Sequence, residues 1–293
     1  MYKKILLIII IVEVFLYVFL KPQLEINLKH VINIKNKNPN INNIKLENYV
    51  IGVVAAEMPA TFSFEALKAQ AVASRTFIYK KLNSGNISYD NISSDKGQAY
   101  IGVEEMKEKW RDHFNEYYNL IKKAVYETKG EVIYSGDEII KAYYFSSSNG
   151  ITEDASVVFG EENYLVSVEV PSDKQSKEYL KTITIESNDF LNKLGLNGEN
   201  IVIGNINRSK TNHVSTIEVN GNTYSGTDFR KMLNLRSTDF DIEVINNNVT
   251  ITTRGYGHGV GMSQYGANYL GNNGSDYKSI LNYFYNNIEI RKI

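Results

Sequence analysis

LENYVIGVVAAEMPATFSFEALKAQAVASRTFIYKKL, residues 46–82, reads as two helices separated at Pro59. Leu46, Tyr49, Val50, Val53 and Val54 recur at helical spacing, and a residue preceding proline is pushed out of the helical region, so the first helix stops ahead of Pro59. Ser63 then stands where a hydroxyl accepts from the free N–H groups of a second helix, Phe64 to about Leu82. Its Leu67, Ala71, Ser74 and Ile78 form a core stripe, and the opposite side carries Lys68, Val72, Arg75 and Tyr79. A stripe of cations on a helix is ordinarily a solvated face.

Working outward, residues 104–129 read as one helix ended by Gly130. Strands follow at Glu131 to Tyr134 and Ile139 to Phe145, around Ser135-Gly136-Asp137. Between Val166 and Val244 the pattern changes: a short helix (Asn188 to Leu194), a strand (Ile201 to Asn207), a hairpin through Asn220-Gly221 and another short helix (Asp228 to Leu233). This stretch, 166–244, reads as a smaller subdomain inserted in the main one. A last hairpin around Asn246 to Asn248 leads into a glycine-rich segment, and Asp276 to Phe284 reads as the final helix. The expected fold class is α+β, with a main domain over 46–293 assembled from both ends of that stretch.

The chain has 293 residues, 43% hydrophobic and 22% charged, the balance of a globular protein. A net charge of -1 gives no field to gather nucleic acid, so none is expected as a partner. With no cysteine and only His30, His113, His213 and His258, disulfides, thiol catalysis and a thiolate or all-histidine metal site are set aside, and no cofactor is expected.

Ile5 to Leu20 is an apolar run interrupted only by Glu13 and flanked by Lys3, Lys4 and Lys21. Sixteen residues at ~1.5 Å rise give roughly 24 Å, which Tyr2 and snorkelling lysines extend toward the ~30 Å hydrocarbon core. A cleaved secretory signal competes with this reading, but Lys21, Pro22 and Gln23 offer no small-x-small cleavage site. Residues 1–21 are therefore expected to be a single N-terminal transmembrane anchor. Lys3 and Lys4 place the N-terminus in the cytoplasm and the rest outside, although Lys21 and Lys29 weaken that asymmetry. Residues 22–45, rich in Asn and Lys, read as a spacer whose Val31 to Ile34 allow one short strand.

Four polar clusters carry candidate chemistry. Glu57 ends the first helix beside Met58 and Pro59, and apolar neighbours raise a carboxyl toward the range of a general acid; from this segment alone a solvated Glu at a helix end is the favoured account. Gly255-Tyr-Gly-His-Gly-Val-Gly-Met-Ser-Gln-Tyr-Gly-Ala267 alternates glycine with polar residues, which suits positive φ or close approach of another surface. It lacks the βαβ context of a dinucleotide fingerprint. Its His258, Ser263, Gln264 and Tyr265 are of the kind that line sugar sites, while tight packing explains the glycines alone. Tyr143 to Glu153 and Ser93 to Gly102 are polar turns that need no function.

These segments together, GVVAAEMPATFSFEALKAQAVASRTF, SSDKGQAYIG, the run through SSSNGITE, FRKMLNLRSTDF and RGYGHGVGMSQYGA, resemble stage II sporulation protein D in order and spacing over roughly residues 44–290. The resemblance implies a sporulation lytic transglycosylase that degrades peptidoglycan glycan strands during engulfment of the forespore, acting with a wall amidase that removes stem peptides, on the mother-cell membrane facing the forespore. It also implies a multi-spanning membrane partner in the engulfment complex, and maps the catalytic glutamate onto Glu57. Two departures stand out. Phe145-Ser146-Ser147 replaces the family's usual Phe-His-Ser, and no cysteine accompanies Gln98, so a zinc site found in some relatives is not expected. Gln98, Tyr100, Ser148, Gln264 and Tyr265 are candidates to hold the transition state. Arg75, aided by Lys68, is the candidate to select strands with a free lactyl carboxylate, unless it serves in a structural ion pair.

Two rival readings remain: a non-catalytic amidase enhancer or wall-binding protein, and an inverting hydrolase with a second carboxylate, for which Glu65, Asp95 and Glu153 are the ones to measure. Glu13 at mid-span costs about 2.5–3.5 kcal/mol on insertion scales, so it is protonated or paired with a membrane-embedded partner. Glu13→Leu is accordingly expected to lower co-purification of that partner from native membranes while leaving the protein membrane-bound; unchanged recovery shows that Glu13 is merely tolerated.

Overall fold

The computed structural model describes residues 46–83, 97–198 and 200–293. The expected anchor, the spacer, Asp95 and the rest of Ser93 to Lys96 lie outside them. Among the described residues, no helix is long and apolar enough to cross a membrane.

The fold is α+β. α1 (Leu46–Glu57) and α2 (Phe64–Asn83) follow the helical spacing of their apolar residues, and the Ser63 hydroxyl accepts from the Ala66 N–H at 3.2 Å. Residues 104–129 are not one helix. α3 (Val103–Trp110) ends at Arg111, whose φ is +48°, and α4 (Phe114–Glu127) restarts after a single 3-10 turn. The break lets Trp110 fold back on Tyr117 edge-to-face, ring centres 5.9 Å apart, an apolar contact that offsets the local strain.

β1 (Glu131–Ser135) pairs antiparallel with β2 (Glu138–Ile139) and with the C-terminal β11 (Glu289–Lys292). The strand expected over Ile139 to Phe145 is divided: after β2 the chain changes partner, and β3 (Tyr144–Phe145) runs parallel to β10 (Met262–Ser263). Tyr143, between them, accepts at its carbonyl from the Met262 N–H and the Tyr285 hydroxyl. α5 (Ala155–Val158) follows. α8 (Gln264–Asn272) and α9 (Tyr277–Phe284) pack on α2 and complete this part.

A second hydrophobic core, sharing no residue with the first, is built from Phe190, Val214, Ile217, Phe229, Phe240, Ile251 and their neighbours. Its frame is the sheet β4 (Leu180–Glu186), β9 (Asn248–Arg254), β8 (Phe240–Ile245) and the sheet β5 (Ile203–Arg208), β6 (Val214–Val219), β7 (Asn222–Ser225). Helices α6 (Ser187–Lys193) and α7 (Gly226–Met232) cover it, and β9 carries it past residue 244.

The first core closes around a buried ion pair. Arg75 is wholly buried; its Nε reaches both Glu47 oxygens at 3.1 Å and its Nη2 donates to Glu47 Oε2 at 2.6 Å. Its remaining donors go to the carbonyls of Val125, at 3.0 Å, and Glu131, at 3.1 Å. The expectation that Arg75 selects substrate is corrected: every arm of the guanidinium is spent inside the protein. Lys68 is likewise engaged, 2.6 Å from Glu65 and over the rings of Phe64 and Tyr277. Removing one partner of a buried pair strands the other charge. Glu47→Ala is expected to cost about 3–5 kcal/mol in chemical denaturation; a loss below about 1 kcal/mol contradicts this role.

Candidate active site

Glu57 is the last residue of α1 and faces a cleft of about 740 Å³. Its Oε1 accepts from the Ala99 N–H at 2.8 Å, which ties the end of α1 to the start of the next described segment. Burial pushes the Glu57 carboxyl up, while the Ala99 N–H, the Tyr144 hydroxyl and the Lys109 ammonium favour its charged form and hold the rise in check. Lys109 is itself pushed down by burial, with Glu57 opposing, and its Nζ donates to the Ala55 carbonyl at 2.8 Å. A half-buried carboxyl poised between these influences is suited to give and then take a proton.

The far wall of the cleft is the glycine-rich loop. Gly261 has φ +81°, and a Cβ there would stand 2.1 Å from the Tyr143 carbonyl oxygen; Gly255 has φ +78°, with the Ser147 carbonyl oxygen at 2.7 Å from its Cβ position. Close approach of two backbones is thus what the glycines serve. Ser147 and Tyr256 exchange N–H to O bonds, at 3.1 and 2.7 Å, and the Glu153 N–H donates to the Gly259 carbonyl at 2.7 Å. His258 Nδ1 accepts from the Val260 N–H at 3.2 Å. Burial, with the Arg230 charge, pushes this imidazole down to about 4, against a hydrogen bond to the Tyr144 backbone. His258 is therefore neutral near pH 7 and held by backbone on both sides, which makes it a brace of the loop.

Of the sequence candidates, Glu57, His258, Gln264 and Tyr265 line this one cleft. Others stand behind it. Gln98 is buried and donates to the Ser74 carbonyl at 3.1 Å and to the Tyr144 oxygen at 2.9 Å, so it positions Tyr144 and does not face substrate. Tyr100 stacks on Tyr49 with ring centres 5.5 Å apart. Ser148 and Ser263 are buried, each donating its hydroxyl to Asp173 Oδ2 at 2.7 Å. The direct contacts expected of Gln98, Tyr100, Ser148 and Ser263 are corrected on these grounds. Burial pushes Asp173 up to about 6 despite those bonds, and its Oδ1 has no partner among the described residues.

Sequence reasoning missed Lys109, Tyr144, Glu178, Arg230 and Tyr256, all of which line the cleft. The signals available were that Tyr144 and Tyr256 stand inside two of the polar clusters named above and that Arg230 stands inside FRKMLNLRSTDF, a segment used above only for its order in the chain. Of the carboxylates singled out for a two-carboxylate mechanism, Glu65 and Glu153 are committed elsewhere, and Asp95 lies outside the described residues. Glu65 accepts from the Tyr277 N–H at 2.8 Å and pairs with Lys68; Glu153 accepts from the Ser209 and Thr211 hydroxyls at 2.6 Å and lies 3.2 Å from His213.

A family model described as stage II sporulation protein matches residues 35–134. The stage II sporulation protein D of Bacillus subtilis (strain 168) is 40% identical over 269 residues, covering 87% of this chain and 77% of that protein. The one from Bacillus amyloliquefaciens is 39% identical over 264 residues, with the same coverage. An amidase enhancer of Bacillus subtilis (strain 168) is 28% identical over 291 residues, covering 80% of this chain and 39% of its own length. Glu57 and its motif fall within the residues matched by the family model, and the chain belongs to the stage II sporulation protein D family.

Proposed function

We propose that this sporulation-family protein is a peptidoglycan lytic transglycosylase with Glu57 as its single acid/base. The observation that carries the reading is the Glu57 carboxyl, raised by burial where it lines an open cleft of about 740 Å³. Among the described residues, the other carboxylate lining that cleft, Glu178, is held by Arg236 at 2.5 Å. A paired charge of that kind is a poor base for activating water, and this favours one carboxyl acting twice.

Protonated Glu57 donates to the glycosidic oxygen as the bond to the N-acetylmuramic acid C1 breaks. The resulting carboxylate removes the proton from the same sugar's C6 hydroxyl as O6 bonds to C1. The proton returns to Glu57, no water is consumed, and the product carries a 1,6-anhydro end. The Ala99 N–H and the Tyr144 hydroxyl steady the carboxylate between the two steps. Trp110, Tyr117 and Tyr265 give the sugar rings apolar surface.

In the setting we propose, residues 1–21 anchor the protein in the membrane with Glu57 outside, and the substrate is glycan stripped of stem peptides by a partner amidase. The kinship with an amidase enhancer supports a second reading, binding without chemistry.

Glu57→Gln is expected to lower release of anhydro-disaccharides from purified glycan strands by about 10²–10⁴-fold, read by mass spectrometry; retained release rejects the assignment, and no release by the unaltered protein favours the enhancer reading. The pH profile gives a second check. Because the acid must start protonated, the rate falls as pH rises through the Glu57 pKa. The Lys109 cation favours the carboxylate, so Lys109→Met raises that pKa and moves the falling limb to higher pH. A shift to lower pH, or none, contradicts the geometry.

A further inference from the structure

Arg230 lies on α7 and lines two cavities at once: the Glu57 cleft, and an adjoining cavity of about 410 Å³ also lined by Lys181, Arg236 and Tyr256. Among the described residues, the lining of this second cavity contains three cations and no carboxylate. Arg236 is neutralised by Glu178 and lies 5.0 Å over the Tyr256 ring. Arg230 is different. Its Nε donates to the Leu235 carbonyl at 3.2 Å, and among the described residues no carboxylate pairs with its guanidinium and no acceptor meets its terminal nitrogens. Lys181, exposed on β4, adds a second uncompensated charge at the rim.

A half-buried guanidinium without a counter-ion is costly unless an anion arrives to meet it, because desolvation removes water that is not otherwise replaced. Burial pushes Arg230 down, and its charge is felt at His258, within the Glu57 cleft. The planar fork presents two parallel N–H donors, the geometry that matches a carboxylate. Exposed Tyr256, shared by both cavities, offers an aromatic face for the sugar that bears it.

We propose that Arg230, assisted by Lys181, binds the free lactyl carboxylate of an N-acetylmuramic acid residue seated across the two cavities, and so sets the preference for peptide-free strands. This rests on the glycan-cleaving reading of the Glu57 cleft. A stem peptide converts that carboxylate to an amide, which removes the charge and adds bulk beside Arg230. The selecting arginine is then on the far wall of the cleft, whereas Arg75 is locked in the core.

The test uses the full chain carrying Glu57→Gln, so that binding is measured without turnover. Calorimetry compares a peptide-free N-acetylglucosamine–N-acetylmuramic acid oligosaccharide with the same molecule whose lactyl carboxyls are methylamides. One charge-assisted bidentate pair corresponds to about 10- to 100-fold in affinity, and the carboxylate form is expected to bind tighter by that factor. Adding Arg230→Gln should bring the two ligands to parity with the methylamide affinity unchanged, and Arg230→Lys should keep part of the preference. Because Arg230 also holds the Leu235 carbonyl, Lys181→Gln is the second variant; it leaves that bond alone and should narrow the preference. Equal binding of both ligands before Arg230 is altered, or an equal loss for both afterwards, overturns the assignment. If neither oligosaccharide binds and no anhydro product forms in the unaltered protein, the glycan-cleaving reading itself falls.

Discussion

The buried pair of Arg75 with Glu47 is the constraint on which the rest of the first core depends. One guanidinium joins α1 through Glu47, the end of α4 through the Val125 carbonyl and the start of β1 through the Glu131 carbonyl. Glu47 Oε1 also accepts from the Gly130 N–H at 3.1 Å, closing the ring from the other side. A charge pair of this kind is poor stabilisation per group, since desolvation consumes much of its attraction. What it fixes is geometry: bonds from all three guanidinium nitrogens tie three helices and a strand to one another. The direction of α1 follows, and with it the position of Glu57 at the helix end.

The opposite wall is held by backbone packing. The Ser146 to Gly150 turn and the glycine-rich loop approach too closely for side chains, so both sides are written in glycine and serine. Asp173 fastens the two: Ser148 donates to it from backbone and hydroxyl, and Ser263, which also caps α8, donates from its hydroxyl. Ser148 and Ser263 therefore act one layer behind the cleft, which Ser146 lines. Gln264 and Tyr265 reach the cleft because Ser263 sets the first turn of α8, and Gln264 is braced by Gln70 of α2 at 3.2 Å.

Elements whose apolar period and caps agree were legible in the sequence. α1, α2 and the last helix are of this kind, as is the hairpin at Asn220-Gly221, where φ of +50° and +76° suits those residues. α8 was not legible, because QYGANYLGN contains two glycines and its helix is imposed by packing on α2. Arg111, a non-glycine residue at φ +48°, gives no warning of the break between α3 and α4. The misreading of Arg75 has the same root: a long cationic side chain on a helix is solvated by default, and only the tertiary placement of Glu47, 28 residues earlier, makes it a core residue. The apolar neighbours of Glu57 made it a candidate, and it was the resemblance of its motif that singled it out. Lys109, Tyr144 and Arg230 reach it from distant segments, which no local pattern records.

The site thus combines one perturbed carboxyl, a neutral histidine that braces the glycine loop, and cations on both walls, in a chain of the stage II sporulation protein D family. The central claim is that Glu57 works alone and that the sugar's own C6 hydroxyl, not water, attacks C1. Cleavage of purified glycan in water labelled with heavy oxygen, followed by mass spectrometry of the released ends, tests it most directly. The account predicts anhydro ends that carry no label; reducing ends with heavy oxygen at C1 would contradict it and require a hydrolytic mechanism with a second base.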